Sequence, residues 1–271
     1  MNLNRRRTLS AALFAGLATL LVTAPATADP APTEQGDDHT LGSQIVVHEG
    51  AGAGDPSQER SLSAGSVEGI DVSRYQGDVD WKSYWDNGIR FAYIKASEST
   101  NVTNPYFASQ YNGSYKQGLI RGAYHFAIPS SSSGASQADY FIAHGGGWSR
   151  DGKTLPGALD LEYNPYDKNN QCYSKSQSAM ASWIHDFSNR YHGTTGRWPV
   201  IYTSTSWWSL CVGTAGDFSA DSPLWVARYN STVGALPFNW RVYSFWQYTS
   251  TPLDKNRFNG DLSQLQAIAN G

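Results

Sequence analysis

Asp160 and Glu162 are separated by one apolar residue in the run Gly157-Ala158-Leu159-Asp160-Leu161-Glu162. The run reads as a β-strand, on which residues two apart project to the same face. Two carboxylates side by side repel, so at least one holds its proton more tightly than a free acid does. That is the condition for a general acid. Taken alone, the pair reads equally well as a solvated strand end. The balance shifts with Asp71 and Asp261, which stand in the first and last strand-like runs of the aromatic-rich region. If those strands close a barrel they are neighbours, and four carboxylates meet at one mouth, an arrangement that folding alone gives little reason to keep.

Paired acids of this kind perform glycoside hydrolysis. Tyr93, Tyr124, Tyr202, Trp225, Trp246 and Tyr248 fall in the same strand-like runs, and flat aromatic faces suit the apolar faces of sugar rings, although at least half of these six are expected in the core. Other chemistries find less support. The histidines, at 39, 48, 125, 144, 185 and 192, form no HExxH and no close Cys/His cluster, so neither metal nor cofactor is expected. There is no Gly-x-Ser-x-Gly elbow.

The elements that must position these acids alternate between β-rich runs and helix-compatible stretches. Strands are predicted at 69–73, 91–95, 122–126, 157–162, 200–202, 224–227, 245–248 and 259–261. The clearest helix is 176–191, where Met180, Trp183, Ile184 and Phe187 recur at helical spacing and Gly193 offers a stop. Weaker helices fit 81–87, 104–117, 137–144 and 263–269. Eight strands with intervening helices predict an α/β fold, a (β/α)8 barrel whose last third is abbreviated, because no helix is legible between Ala227 and Phe245. An open doubly wound sheet is the alternative, but it normally carries a Gly-rich nucleotide turn that is missing here.

Composition divides the chain into three parts. Residues 1–28 carry Arg5-Arg6-Arg7, an apolar run to Thr23 and Ala26-Thr27-Ala28, the pattern of a secretory signal peptide, with general and twin-arginine export both compatible. The product is therefore expected to be secreted, without a membrane span. Residues 29–64 hold seven acids against Arg60 and no aromatic residue, and read as a disordered linker or pro-segment; Ile45-Val46-Val47 is the one hint that it docks on something. Residues 65–271 form the expected catalytic domain, with 16 acidic and 16 basic residues. That neutrality supplies no general attraction to nucleic acid. Cys172 and Cys211, an even pair in an exported chain, are expected to form a disulfide.

Gly69-Ile70-Asp71-Val72-Ser73, Gly122-Ala123-Tyr124-His125-Phe126, Asp160-Leu161-Glu162 and Trp246-Gln247-Tyr248, in this order and spacing, resemble the family 25 glycoside hydrolases, the Chalaropsis-type lysozymes. The resemblance covers about residues 66–271. It implies a modified barrel of five βα units followed by three strands, and cleavage of the β-1,4 bond between N-acetylmuramic acid and N-acetylglucosamine in bacterial peptidoglycan. By position it implies that Glu162 is the proton donor, that Asp160 supports the cationic centre, and that Asp71 and Asp261 are the other two active-site acids. Lys95 and Tyr124 match residues lining the sugar subsite beside the scissile bond. Asp160 has two open roles, attacking C1 directly or orienting the substrate's 2-acetamido oxygen as internal nucleophile; both retain configuration. The expected partner is the glycan strand of peptidoglycan, acted on by a monomer. A chitinase-like glycosidase is disfavoured by Leu155 and Ala158, where that family places aspartates. A non-catalytic wall-binding module would be expected to have lost an acid.

Overall fold

The computed structural model describes residues 38–51 and 65–271. The expected signal peptide lies outside the described residues, as do 29–37 and 52–64 of the expected linker. Among the described residues no helix is long and apolar enough to cross a membrane.

Eight strands close a barrel. β1 (Val67–Val72), β2 (Ile89–Glu98), β4 (Ile120–Phe126), β5 (Ala158–Asp160), β6 (Val200–Ser204), β7 (Leu224–Ala227) and β8 (Phe245–Thr249) run parallel, while β3 (Val102–Thr103) only folds back on the end of β2. β9 (Lys255–Phe258) closes the ring antiparallel to both β8 and β1. Helices α2 (Trp81–Asp86), α3 (Phe107–Gln117), α4 (Gly134–Phe141), α5 (Gln177–Thr195) and α6 (Thr205–Cys211) follow the first five barrel strands. No helix separates the last three strands, and α7 (Leu262–Asn270) ends the chain. The abbreviated last third read from the sequence is therefore real.

α5 shows how local signals set an element. Ser176 caps it by accepting from the Ala179 N–H at 3.2 Å, and Met180, Trp183, Ile184, Phe187 and Tyr191 bury one face. The helix runs through Gly193, which costs about 1 kcal/mol relative to alanine, and stops at Gly196, which takes the left-handed conformation at φ 73°.

Inside the barrel, Phe91, Tyr93, Tyr202, Trp225, Phe245 and Phe258 form one apolar cluster. Gly69 and Gly122 make room for it, since a Cβ at either would run into the Phe91 or Tyr93 ring. Outside, α4, α5 and α6 bury a second cluster against the strands. The Cys172–Cys211 disulfide forms as expected and joins the loop after β5 to the end of α6. On the chain-entropy model, closing a loop of that length stabilises the fold by roughly 4 kcal/mol.

Two expectations fail here. The last strand lies at Lys255–Phe258, four residues before the predicted 259–261: Asn256 and Phe258 are buried while Lys255 and Arg257 are more exposed, an alternation diluted by charge. And the predicted linker is not wholly without structure. Residues 38–51 pack on the barrel and include α1 (Ser43–Glu49), with Leu41 and Ile45 buried in the interior cluster. Few of its side chains are apolar, but backbone hydrogen bonds to buried side chains also fix this segment.

Candidate active site

The acids gather at the C-terminal ends of the barrel strands, as strand polarity requires. Asp71 stands near the end of β1, Asp160 ends β5 and Glu162 lies two residues beyond it; all three are buried, none more than 1% exposed. Burial pushes the Glu162 pKa up to about 7, against hydrogen bonds that favour its ionised form. Asp160 is raised well above the carboxylate range by burial and then by the Glu162 charge, and neither of its oxygens has a hydrogen-bond donor among the described residues. With one proton between them the two acids can bond to each other. That pair can supply a general acid beside a carboxylate.

Asp71 sits in a built network. Its Oδ2 accepts from Gln247 Nε2 at 2.9 Å and from Asn256 Nδ2 at 2.8 Å. Gln247 Oε1 in turn accepts from the Tyr202 hydroxyl at 2.5 Å and the Tyr229 hydroxyl at 2.9 Å, and Asn256 Oδ1 accepts from Trp225 Nε1 at 2.9 Å. Burial carries the Asp71 pKa to about 7.

Six of the predicted residues come together: Asp71, Asp160, Glu162, Lys95, Tyr124 and Tyr202. Asp261 does not. It caps α7 from the surface, its Oδ1 accepting from the Gln264 N–H at 2.9 Å and from the Ser263 hydroxyl at 2.6 Å, because the closing strand has already ended at Phe258. The acid beside the site is Asp254, in the turn between β8 and β9. Its pKa is pushed up to about 9 by burial and by the charges of Asp71 and Glu162.

The aromatics divide according to strand alternation. Tyr93 donates to the carbonyl of Pro156, which precedes β5, so it points away from the mouth. Trp225 packs against Tyr93 and Tyr202 in the layer beneath the acids and reaches them only through Asn256. Trp246 and Tyr248 belong to the outer cluster; the Trp246 indole donates to the Arg228 carbonyl, and the Tyr248 hydroxyl to Glu68 at 2.8 Å. Between them Gln247 faces inward, so alternation in the run Phe245–Thr249 would have found it.

Glu98 was also missed. Lys95 Nζ donates to Glu98 Oε2 at 2.6 Å, three residues away, because an irregularity between Lys95 and Ser97 resets the strand alternation. Burial alone would raise Glu98, but hydrogen bonds and charge from His39 and Lys95 outweigh it and hold its pKa below the usual value. His125 plays no part in the acid cluster. It is buried between Ser97 and Gln137, and burial lowers its pKa to about 4.

Residues 38–50 lie across the mouth. The N–H groups of Gly42, Gln44 and Ile45 donate to the Glu162 carboxylate, the last two at 2.8 and 3.1 Å. Asp38 pairs with Lys95 and, at 3.0 Å, with Arg74, and His39 donates from its backbone to Glu98 at 2.9 Å. The Leu41 N–H donates to the Tyr124 hydroxyl at 3.3 Å, and the Tyr229 hydroxyl that donates to Gln247 also lies 3.3 Å from the Gly42 carbonyl.

Residues 70–256 match the family described as Glycosyl hydrolases family 25. The chain belongs to that family. It is a glycoside hydrolase. Lysozyme M1 of Streptomyces globisporus is 42% identical over 273 residues, covering 97% of this chain and 92% of that protein. An N,O-diacetylmuramidase of Chalaropsis sp is 46% identical over 213 residues, 76% of this chain and all of that one. Among solved structures, a muramidase from Acremonium alcalophilum is 54% identical with a TM-score of 0.73, covering 76% of this chain and 99% of its own. The family 25 barrel thus accounts for a whole relative, whereas the Streptomyces match extends into the segment ahead of it.

Proposed function

We propose that the protein is a secreted lysozyme that hydrolyses the β-1,4 bond between N-acetylmuramic acid and N-acetylglucosamine in peptidoglycan, acting as a monomer. The observation that carries this is the buried Asp160–Glu162 pair at the end of β5, with Glu162 raised to about 7, in a family 25 barrel whose relatives are named lysozyme and muramidase.

Protonated Glu162 donates to the leaving glycosidic oxygen as positive charge grows at C1 of the muramyl residue. Asp160 either bonds to C1 or holds the substrate's acetamido group so that its oxygen does. In the second step Glu162, now ionised, takes a proton from the incoming water, and the product keeps the β configuration. Lys95, Tyr124 and Tyr202 line the sugar-binding mouth, and the Gln247–Asn256 pair fixes Asp71 beneath it. Digestion of purified cell wall followed by borohydride reduction tests the bond: muramitol at the new ends is expected, and glucosaminitol would mean that the enzyme cuts on the other side of the disaccharide.

A further inference from the structure

Asp160 and Glu162 are buried at 0% and 1% exposure in a hydrolase whose proposed substrate is a polymer. The clefts left around the mouth, about 400, 190 and 190 Å³, are lined by residues 38–50 together with the rim, and by neither of those acids. No glycan strand reaches the pair in this state.

We propose that residues 38–50 are an intramolecular inhibitor, so that the secreted chain is latent until this segment is separated from the barrel. The inference rests on the lysozyme reading of the same site. The segment meets the groups that the reaction needs. Both oxygens of Glu162 are occupied by its backbone N–H groups, so the carboxyl that would protonate a glycosidic oxygen is engaged. Lys95 is tied to Asp38 and to the His39 carbonyl, and Tyr124 accepts from Leu41. At the far end Glu49 accepts from Ser204 and, at 3.0 Å, from Tyr163, whose ring lies stacked 4.2 Å from His48.

The fit is specific at Gly42. It sits at φ 82°, and a Cβ there would come within 3 Å of Gln247 Oε1 and the Tyr202 hydroxyl. Only glycine lets the backbone come this close to the site. Of the segment's two acids, Asp38 finds a charge complement, placing its carboxylate between Lys95 and Arg74. A whole relative is matched by 76% of this chain, about the share that residues 65–271 occupy, so the barrel without the segment is expected to fold. Residues 52–64 join the segment covalently to β1, so in the uncut chain it cannot diffuse away. Cutting the tether frees the peptide to dilute away.

The test uses the chain from residue 29 with a site-specific protease sequence placed after Ala51. Clearing of cell walls is measured before and after cutting and removal of the released peptide. A rise of at least tenfold is expected, together with comparable activity in the uncut Gly42→Val chain. Where the cut barrel clears walls, an uncut chain within twofold of it overturns the proposal, as does a Gly42→Val chain that stays latent. If the cut barrel also leaves walls intact, the lysozyme reading falls, and titration calorimetry decides the plug separately. A synthetic peptide of residues 38–51 should bind the cut barrel and its Gly42→Val version should not. No binding by the parent peptide overturns the inhibitor.

Discussion

Gln247 Nε2 donates to Asp71 Oδ2 at 2.9 Å across 176 residues of chain, linking the first barrel strand to the seventh. The same amide accepts from Tyr202 and Tyr229, so it satisfies three buried groups at once. Gln247→Leu should leave the Tyr202 hydroxyl without its acceptor and Asp71 with Asn256 as its remaining side-chain donor. Each buried polar group left unsatisfied costs about 1–3 kcal/mol, so this substitution should lower the denaturant midpoint far more than a surface change would. A variant as stable as the parent would show that other donors replace the amide.

Asp261, expected among the active-site acids, caps α7 instead, and Asp254 is the acid beside the cluster. Asp261→Ala removes an exposed helix cap and should cost about 0.5–2 kcal/mol of stability while leaving the hydrolysis rate intact. Thermal unfolding and wall clearing measured on the same sample check this. A large loss of rate with little loss of stability would return Asp261 to the active site.

Asp254 should make stability depend on pH. Its folded pKa is raised to about 9, whereas the unfolded chain titrates near 4. The folded state therefore holds this proton more tightly; the stabilisation is complete below about pH 4 and is lost as pH rises through about 9. Asp71 and Glu162, raised to about 7, act with the same sign over the lower part of that window. Asp254→Asn should match the parent at pH 4, melt higher than the parent at pH 9, and show a shallower slope between. Parallel curves would sink the assignment.

Glu162→Gln, assayed after the tether is cut, should lose about 10²–10⁴-fold in turnover, because an amide keeps the shape but has no proton to donate. Wall binding should change little. The same substitution should loosen the plug, since an amide presents one N–H₂ where the carboxylate accepted at both oxygens. Turnover near the parent rate would remove Glu162 from the mechanism.

Stereochemistry supplies a further check. Both roles open to Asp160 retain configuration, so proton NMR of a digest followed before mutarotation should show the β anomer first. An initial α anomer would mean that water attacks C1 directly, with Asp71 or Asp254 as the base that activates it.

The barrel, the Asp160–Glu162 pair and the disulfide were legible in the sequence because each depends on short-range pattern: alternation along a strand, helical spacing along α5, an even pair of cysteines. Asp71 followed from the same logic. What the chain could not reveal locally was which residues meet after closure. Asp254 and Asn256 reach the site only because β9 turns back antiparallel four residues earlier than expected, and Glu98 joins Lys95 only because a strand irregularity shifts the pleat. Trp246 and Tyr248 carry rings suited to a sugar, yet the pleat turns them outward and Gln247 in. The plug was the least legible of all. Leu41 and Ile45 are the segment's only two buried apolar side chains, and their segment is also fixed by a set of backbone N–H groups that every sequence carries, meeting a carboxylate almost 120 residues away. Backbone groups leave no mark in composition, so only the tertiary structure could show where they are spent.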